Sequence, residues 1–261
     1  MDLRLLSRKA DLKSASQIAR VATEGWAVDC FYCPSCGSGL RSYPPGMRVY
    51  DFFSPECKEQ FQMKSADHPL SRSVLGSEYH TTLNSVQSNR FPSLMLLHYD
   101  RIEWVVEDLC IVHRACITES CIIPRKPLSE SARRAGWQGC LISIDKIPKL
   151  GQIDVVSQGT VREKTSVLAQ WRQASSLLKA KPEYRGWLAD VLGCVERLPA
   201  SFTLDDVYVY AEELSKKHPK NHNIRPKIRQ QLQVLRDLGL LRFVRPGVYE
   251  YAGALTGGTP R

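Results

Sequence analysis

The sequence has no apolar stretch long enough to cross a bilayer; runs such as Leu94 to Leu97 have only the length of a buried strand. An apolar leader segment is also missing, since Met1 to Leu12 mixes charges with leucines, and a cytoplasmic protein is expected. There is no phosphate-cradling glycine loop, no G-x-S-x-G nucleophile elbow and no H-E-x-x-H pair. P-loop hydrolysis, serine-based acyl transfer and zincin-type proteolysis are therefore not expected. No internal repeat is visible. Acid is locally scarce: from Lys216 to Arg245, Asp237 stands alone against nine lysines and arginines.

With 261 residues, 43% of them hydrophobic, the chain can bury a core as one large domain or as a medium domain with a small one. A net charge of +9 suits a polyanionic partner, because lysine and arginine release counterions as they neutralise phosphates. Nine cysteines, an odd number at uneven spacing, point to reduced thiols, some of them available to a metal.

Periodicity gives a coarse element order. Ser16 to Trp26 reads as a helix with Ile18, Val21, Ala22 and Trp26 on one face. A knuckle-like segment follows, Tyr32-Cys33-Pro34-Ser35-Cys36-Gly37. Arg48 to Phe53 and Glu59 to Lys64 read as a hairpin turned at Ser54 to Lys58. Glu78 to Asn89 is expected to be helical and Ser93 to Tyr99 a buried strand. Ile102 to Val106, Leu109 to Val112, Leu141 to Ile147 and Gln152 to Val156 are expected as further strands, and Trp171 to Lys181 as a helix or linker. From Glu183 the pattern becomes three helices and a hairpin, a winged-helix order. Trp187 to Leu198 is the first helix, and Thr203 caps the second with Asp206 at N3. Ile224 to Leu238 is the third, with Ile228, Leu232, Leu235 and Leu238 as its core stripe. Leu241 to Tyr251 folds back at Pro246-Gly247. The division expected is 1–180 and 181–261, with Thr256 to Arg261 as a disordered tail.

Metal-dependent phosphodiester cleavage needs an acid on one strand, a second oxygen ligand on its neighbour, and a lysine two residues later to orient or activate water. Positions i and i+2 of a strand share a face. Gln62 and Lys64 then point one way, Phe61 and Met63 point into the core, and Asp51 stands on the partner strand. Asp51, Gln62 and Lys64 are the candidate catalytic group; a solvated hairpin face is the plain alternative.

Two segments have the composition of a DNA contact. The third helix of a winged helix enters the major groove by its N-terminal part. Asn221, His222, Asn223, Arg225, Lys227 and Arg229 stand there, with Gln230 and Gln233 further along. Arginine pairs with guanine O6 and N7, asparagine and glutamine with adenine N6 and N7. The second segment, Pro124 to Gly139, reads as a basic loop with Arg125, Lys126, Arg133 and Arg134 around Trp137, which could stack or wedge against bases. Trp26, Trp104, Trp171 and Trp187 are expected in the core.

These stretches resemble the DpnI-like family of methyl-directed restriction endonucleases along nearly the whole chain. The likeness rests on Tyr32-Cys33-Pro34 with Cys36-Gly37, Asp51-Phe52, Arg125-Lys126-Pro127-Leu128, Ala132 to Trp137 with Gly139-Cys140, Arg185-Gly186-Trp187, and the run Lys227 to Asp237. The resemblance implies an α/β fold: a PD-(D/E)XK nuclease core, a mixed sheet flanked by helices, with a zinc-knuckle-like insertion and then a small winged-helix domain. It implies Mg2+-dependent cleavage of both strands of adenine-methylated double-stranded DNA at GATC, with Asp51, Gln62 and the Met63 carbonyl as metal ligands and Lys64 on the water. No obligate protein partner is evident.

The chain departs from the family pattern twice. Gln62 replaces the acid before x-Lys, which removes a charge from the metal site; Glu24 of the first helix could add a carboxylate. The family's closed four-sulfur zinc site is matched by Cys33, Cys36 and Cys57, with Ser54 at the fourth position. Cys30, His68, Glu56 or a water could complete the site, and a metal-free knuckle with free thiols is the alternative. Two other functions stay open: a methylated-DNA reader with an impaired nuclease core, and a winged-helix regulator indifferent to methylation.

Overall fold

The computed structural model describes residues 1–5, 14–44, 50–69 and 71–252. The expected tail from Thr256 and the start of the first hairpin strand at Arg48 lie outside these residues. In chain order the elements begin with α1 (Ala15–Cys30), β1 (Arg41–Ser42), β2 (Phe52–Phe53), β3 (Gln60–Ala66) and β4 (Ser73–Glu78). Next come α2 (Tyr79–Gln87), β5 (Ser93–Asp100), β6 (Val105–Val112), β7 (Ile122–Pro124), β8 (Gly139–Ser143), β9 (Gln152–Ser157), β10 (Thr160–Val161) and α3 (Lys164–Ser176). The last are α4 (Pro182–Val195), β11 (Ser201–Thr203), α5 (Leu204–Tyr208), α6 (Ala211–Lys217), α7 (Ile224–Asp237), β12 (Leu241–Arg245) and β13 (Val248–Tyr251). No helix among the described residues is long and apolar enough to cross a membrane.

The chain divides into two compact units, each assembled from separated segments. The first comprises Met1–Val74, Arg90–Arg114 and Gly151–Ala174. Its seven-stranded sheet runs β1-β2-β3-β5-β6-β9-β10. β3 and β5 are parallel and all other neighbours antiparallel, so the sheet is mixed. β5 is buried on both faces, as its run Leu94 to Leu97 requires. Phe61, Met95, Leu97, Ile111 and Ile153 of the sheet meet Ala22, Trp26 and Ala27 of α1 and Val167 and Trp171 of α3 in one core cluster. α1 is capped by Ser14, whose hydroxyl accepts the Gln17 N–H, and is longer than its apolar stripe indicates.

Two local expectations are corrected in this unit. Ile102 is 85% exposed and belongs to a turn rather than to a strand. The Asp100 carboxylate accepts the N–H groups of Ile102 and Glu103 at 2.6 and 2.7 Å, and this side-chain turn overrides the alternating apolar pattern. β6 is then one strand, Val105–Val112. Trp104 is half-buried rather than core, with φ of 52° and its ring stacked on Tyr99 at 5.8 Å.

The second unit comprises Leu75–Asn89, Ala115–Leu150 and Ser175–Arg261. It contains a sheet β4-β8-β7 beside α2, and a sheet β11-β13-β12 beside the C-terminal helices. The second expected C-terminal helix is broken at Val209, 78% exposed, into α5 and α6. Its start is as expected: the Thr203 hydroxyl accepts the Asp206 N–H, and the Asp206 carboxylate accepts the Thr203 N–H. In α7 the buried stripe is Ile228, Gln231, Leu232 and Leu235, whereas Leu238 is the half-buried C-cap. Buried Asp190 of α4 accepts hydrogen bonds from Lys217 at 3.2 Å and His218 at 2.9 Å, and Trp187 stacks on His218 at 3.9 Å. That cluster fixes the end of α6 shortly before α7 begins.

Replacing Thr203 by alanine removes the capping box of α5. Urea unfolding is expected to show a loss of about 1 kcal/mol, and Thr203→Ser to show little change.

Candidate functional site

Three features use the residues singled out from the sequence. The first is the β2–β3 hairpin. Asp51 lies on a bend one residue before β2, not within the strand as expected. Its N–H donates to the Phe61 carbonyl at 2.9 Å. Its carboxylate Oδ2 accepts the Met63 N–H at 2.8 Å. The carboxylate is thereby held against the backbone of Gln62-Met63-Lys64. Phe61 is fully buried, Met63 packs against the core cluster, and Gln62 and Lys64 are half-buried on the alternate positions of β3.

α1 borders this hairpin. The Thr23 hydroxyl, fully buried, hydrogen-bonds Ser65 of β3 at 3.2 Å. Arg20 donates to the Glu24 carboxylate at 2.6 Å. This hydrogen bond raises the Arg20 guanidinium above its ordinary value, and the charge of Asp51 adds to the rise. Glu24, a candidate extra carboxylate, is therefore engaged by Arg20. The sequence reading missed Arg20; its i,i+4 spacing to Glu24 was the available signal. Among the described residues no group of three His, Cys, Asp or Glu side chains gathers at Asp51. One carboxylate, a side-chain amide oxygen and main-chain carbonyls remain. These are hard oxygen donors of the kind Mg2+ accepts alongside several waters, with one charge fewer than a pair of acids supplies.

The second feature is a thiol centre at the turn joining β2 to β3. The Sγ atoms of Cys33, Cys36 and Cys57 all lie within 4.8 Å of one another. Cys33 and Cys57 are 3.6 Å apart. Burial pushes the Cys33 thiol up to about 12. At Cys36 burial acts the same way, but hydrogen bonds with Ser38 and Ser54 outweigh it and bring the thiol down to about 6. Cys30, Glu56 and His68, considered as completing ligands, do not join this group. Gly37, with φ of 79°, turns the knuckle, and Lys164 Nζ donates to its carbonyl at 2.9 Å while lying 4.8 Å from the Tyr32 ring. Three thiols converging at this spacing fit a soft or borderline cation such as Zn2+.

The third feature is the pair of basic segments, both in the second unit. The loop between β7 and β8 is closed by its own main chain. Arg125 N–H donates to the Gly139 carbonyl, Leu128 N–H to Trp137, Gly136 N–H to Leu128 and Trp137 N–H to Arg134. Arg125, Lys126, Arg133 and Arg134 are exposed and Trp137 is half-buried. The Arg134 guanidinium sits 4.9 Å from the Trp137 ring centre. The indole also lies close over Gly139, where a Cβ would stand 2.8 Å from the ring.

On α7 the exposed arc carries Arg225, Arg229, Gln230 and Gln233, opposite the buried stripe, with His222 and Asn223 exposed just before it. Asn221 is half-buried and its side chain accepts the Asn223 N–H at 2.8 Å. Lys227 is half-buried, donating to Gln230 at 2.7 Å and lying 5.2 Å from the Tyr184 ring. Arg225 lies 5.0 Å from the Tyr208 ring. Tyr184 and Tyr208 flank the helix and were not anticipated from the sequence, because both come from other helices.

Comparison with protein families gives two matches. A family model described as DpnI, Dam-replacing family, matches residues 1–180. A second, described as the Dam-replacing HTH domain, matches residues 183–251.

Gly139→Ala is expected to push the Trp137 indole from its seat. The expected signs are a change in the near-UV circular dichroism of tryptophan and a stability loss of about 1–3 kcal/mol in denaturant unfolding.

Proposed function

Because the chain belongs to the DpnI, Dam-replacing family, we propose that it is a methyl-directed type II restriction endonuclease, cleaving double-stranded DNA at GATC sites that carry N6-methyladenine. We assign a PD-(D/E)XK catalytic part to residues 1–180 and a winged-helix reading domain to 181–261. The observation that carries the catalytic reading is the hydrogen bond from Met63 N–H to the Asp51 carboxylate, which sets the acid beside Gln62 and Lys64.

Asp51, the Gln62 amide oxygen and the Met63 carbonyl would hold Mg2+, which supplies an acidified water and offsets charge on the scissile phosphate. Asp51 contributes the negative charge and Gln62 an uncharged oxygen. Lys64, on the Gln62 face of β3, orients the attacking water and balances charge as it adds to phosphorus and the bridging P–O bond breaks. Arg20, raised by Glu24 and Asp51, stays charged and adds positive potential at the same edge. Zn2+ held by Cys33, Cys36 and Cys57 would brace the turn between β2 and β3, a structural role.

The exposed lysines and arginines of 125–134 and of α7 supply phosphate contacts. Arg225, Arg229, Gln230 and Gln233 supply base-edge contacts in the major groove. Trp137, steadied by Arg134 and Gly139, presents an aromatic face to the methylated base step. Gln62 favours one second reading, a methylated-DNA reader whose nuclease core no longer binds metal well.

One plasmid, adenine-methylated or unmethylated at GATC and incubated with Mg2+, tests the proposal. Discrete fragments are expected from the methylated form only, and Asp51→Asn and Lys64→Ala are expected to bind that DNA without cutting it. If neither form is cut while gel shifts still prefer methylated DNA, the reader is correct. Gln62→Glu is expected to lower the Mg2+ concentration for half-maximal cleavage roughly tenfold, as an added charged ligand worth about 1.4 kcal/mol would.

A further inference from the structure

The thiol centre has three sulfurs and, beside the Cys36 sulfur, a buried hydroxyl. Ser54 is fully buried although serine ordinarily sits at the surface. Its main chain is fixed in the turn: its N–H donates to Glu59 at 2.9 Å and its carbonyl accepts the Lys58 N–H at 3.0 Å. Its Oγ stands 3.3 Å from Cys36 Sγ, accepts the Cys57 N–H at 3.3 Å, and meets Ser38 Oγ at 3.1 Å. In a tetrahedral zinc site, sulfur ligands are about 3.8 Å apart and a sulfur and an oxygen about 3.5 Å, from bond lengths near 2.3 and 2.0 Å. The Cys33–Cys57 separation of 3.6 Å and the Cys36–Ser54 separation of 3.3 Å match one edge of each kind.

We infer that Ser54 Oγ is the fourth ligand of the ion held by Cys33, Cys36 and Cys57, which makes the centre a three-thiolate, one-hydroxyl site. The inference rests on the reading that zinc occupies these thiols. A neutral hydroxyl binds through a lone pair, so the three thiols release their protons on metal uptake and Ser54 keeps its own. Ser38 is the positioning residue, its hydroxyl within hydrogen-bond distance of both Ser54 Oγ and Cys36 Sγ. The loaded centre then carries one negative charge where four thiolates would carry two. Lys164, anchored on the Gly37 carbonyl, places a positive charge beside the knuckle. An oxygen ligand is also held less firmly than a thiolate, so this position is the one where a competing chelator enters.

The test uses the full-length protein loaded with Zn2+ or Co2+. Metal content, the rate of zinc transfer to a chromogenic chelator and the sulfur-to-cobalt charge-transfer spectrum are measured for wild type, Ser54→Cys and Ser54→Ala. Ser54→Cys is expected to raise charge-transfer intensity by about one third, as four sulfurs replace three, and to slow zinc release. Ser54→Ala is expected to speed release by about tenfold or more. If Ser54→Cys leaves the charge-transfer intensity unchanged, or Ser54→Ala leaves both spectrum and release unchanged, the fourth ligand is not Ser54 and the inference fails while the zinc reading stands. Wild-type protein that takes up neither ion overturns both, and uptake by Ser54→Cys alone identifies the missing sulfur as the cause.

Discussion

The hydrogen bond from the Met63 amide to the Asp51 carboxylate is the constraint on which the candidate active edge depends. Asp51 lies outside regular strand, so the ladder alone does not fix its side chain. The Met63 bond does, and because Met63 is also packed against the core cluster, the acid is tied to the core of the first unit. From there the alternation of β3 determines the rest: Phe61 inward to Trp171, Gln62 and Lys64 on the other face. α1 closes the arrangement by bonding Thr23 to Ser65, which brings Arg20 within electrostatic reach of Asp51.

Much of this architecture is legible in the sequence because it follows from short-range rules. The hairpin turned at Ser54 to Lys58, the buried run of β5 and the capping box at Thr203 are each written in a few adjacent residues, and each stands in the structure. The α1 stripe stands in part: Ala22 and Trp26 are buried, Val21 is half-buried, and Ile18, one turn earlier, is exposed. The mixed α/β class, implied by the family resemblance, and the C-terminal helical part, expected from the element order, both stand. The errors have local causes. Asp100 folds Ile102 and Glu103 into a side-chain turn that apolar alternation cannot reveal, and one expected helix is interrupted by a turn at Val209 and Tyr210. In α7 the polar Gln231 is buried in the stripe, one turn after Ile228, and Leu238, expected in that stripe, is the half-buried C-cap at which the helix ends.

The candidate sites are legible in a different way. The three cysteines and Ser54 are grouped by the family resemblance, and the fold gathers the three sulfurs with Ser54 Oγ beside Cys36, while Cys30, Glu56 and His68 stay outside the group. Arg20, Tyr184 and Tyr208 are tertiary neighbours with no motif of their own. The interleaving of the two compact units across the chain is likewise invisible to periodicity, since it depends on which segments meet after folding.

The parallel pairing of β3 with β5 sets Phe61 opposite Ser93 and Lys64 opposite Leu96. A strand's two faces exchange with every one-residue slip. Adding or deleting a single residue between Cys57 and Phe61 would therefore either shift that pairing or turn Gln62 and Lys64 toward Trp171 and present Phe61 to solvent. The number of residues in this turn is thus as much a part of the candidate edge as the side chains on it, and only changes of even length preserve which face carries Gln62 and Lys64.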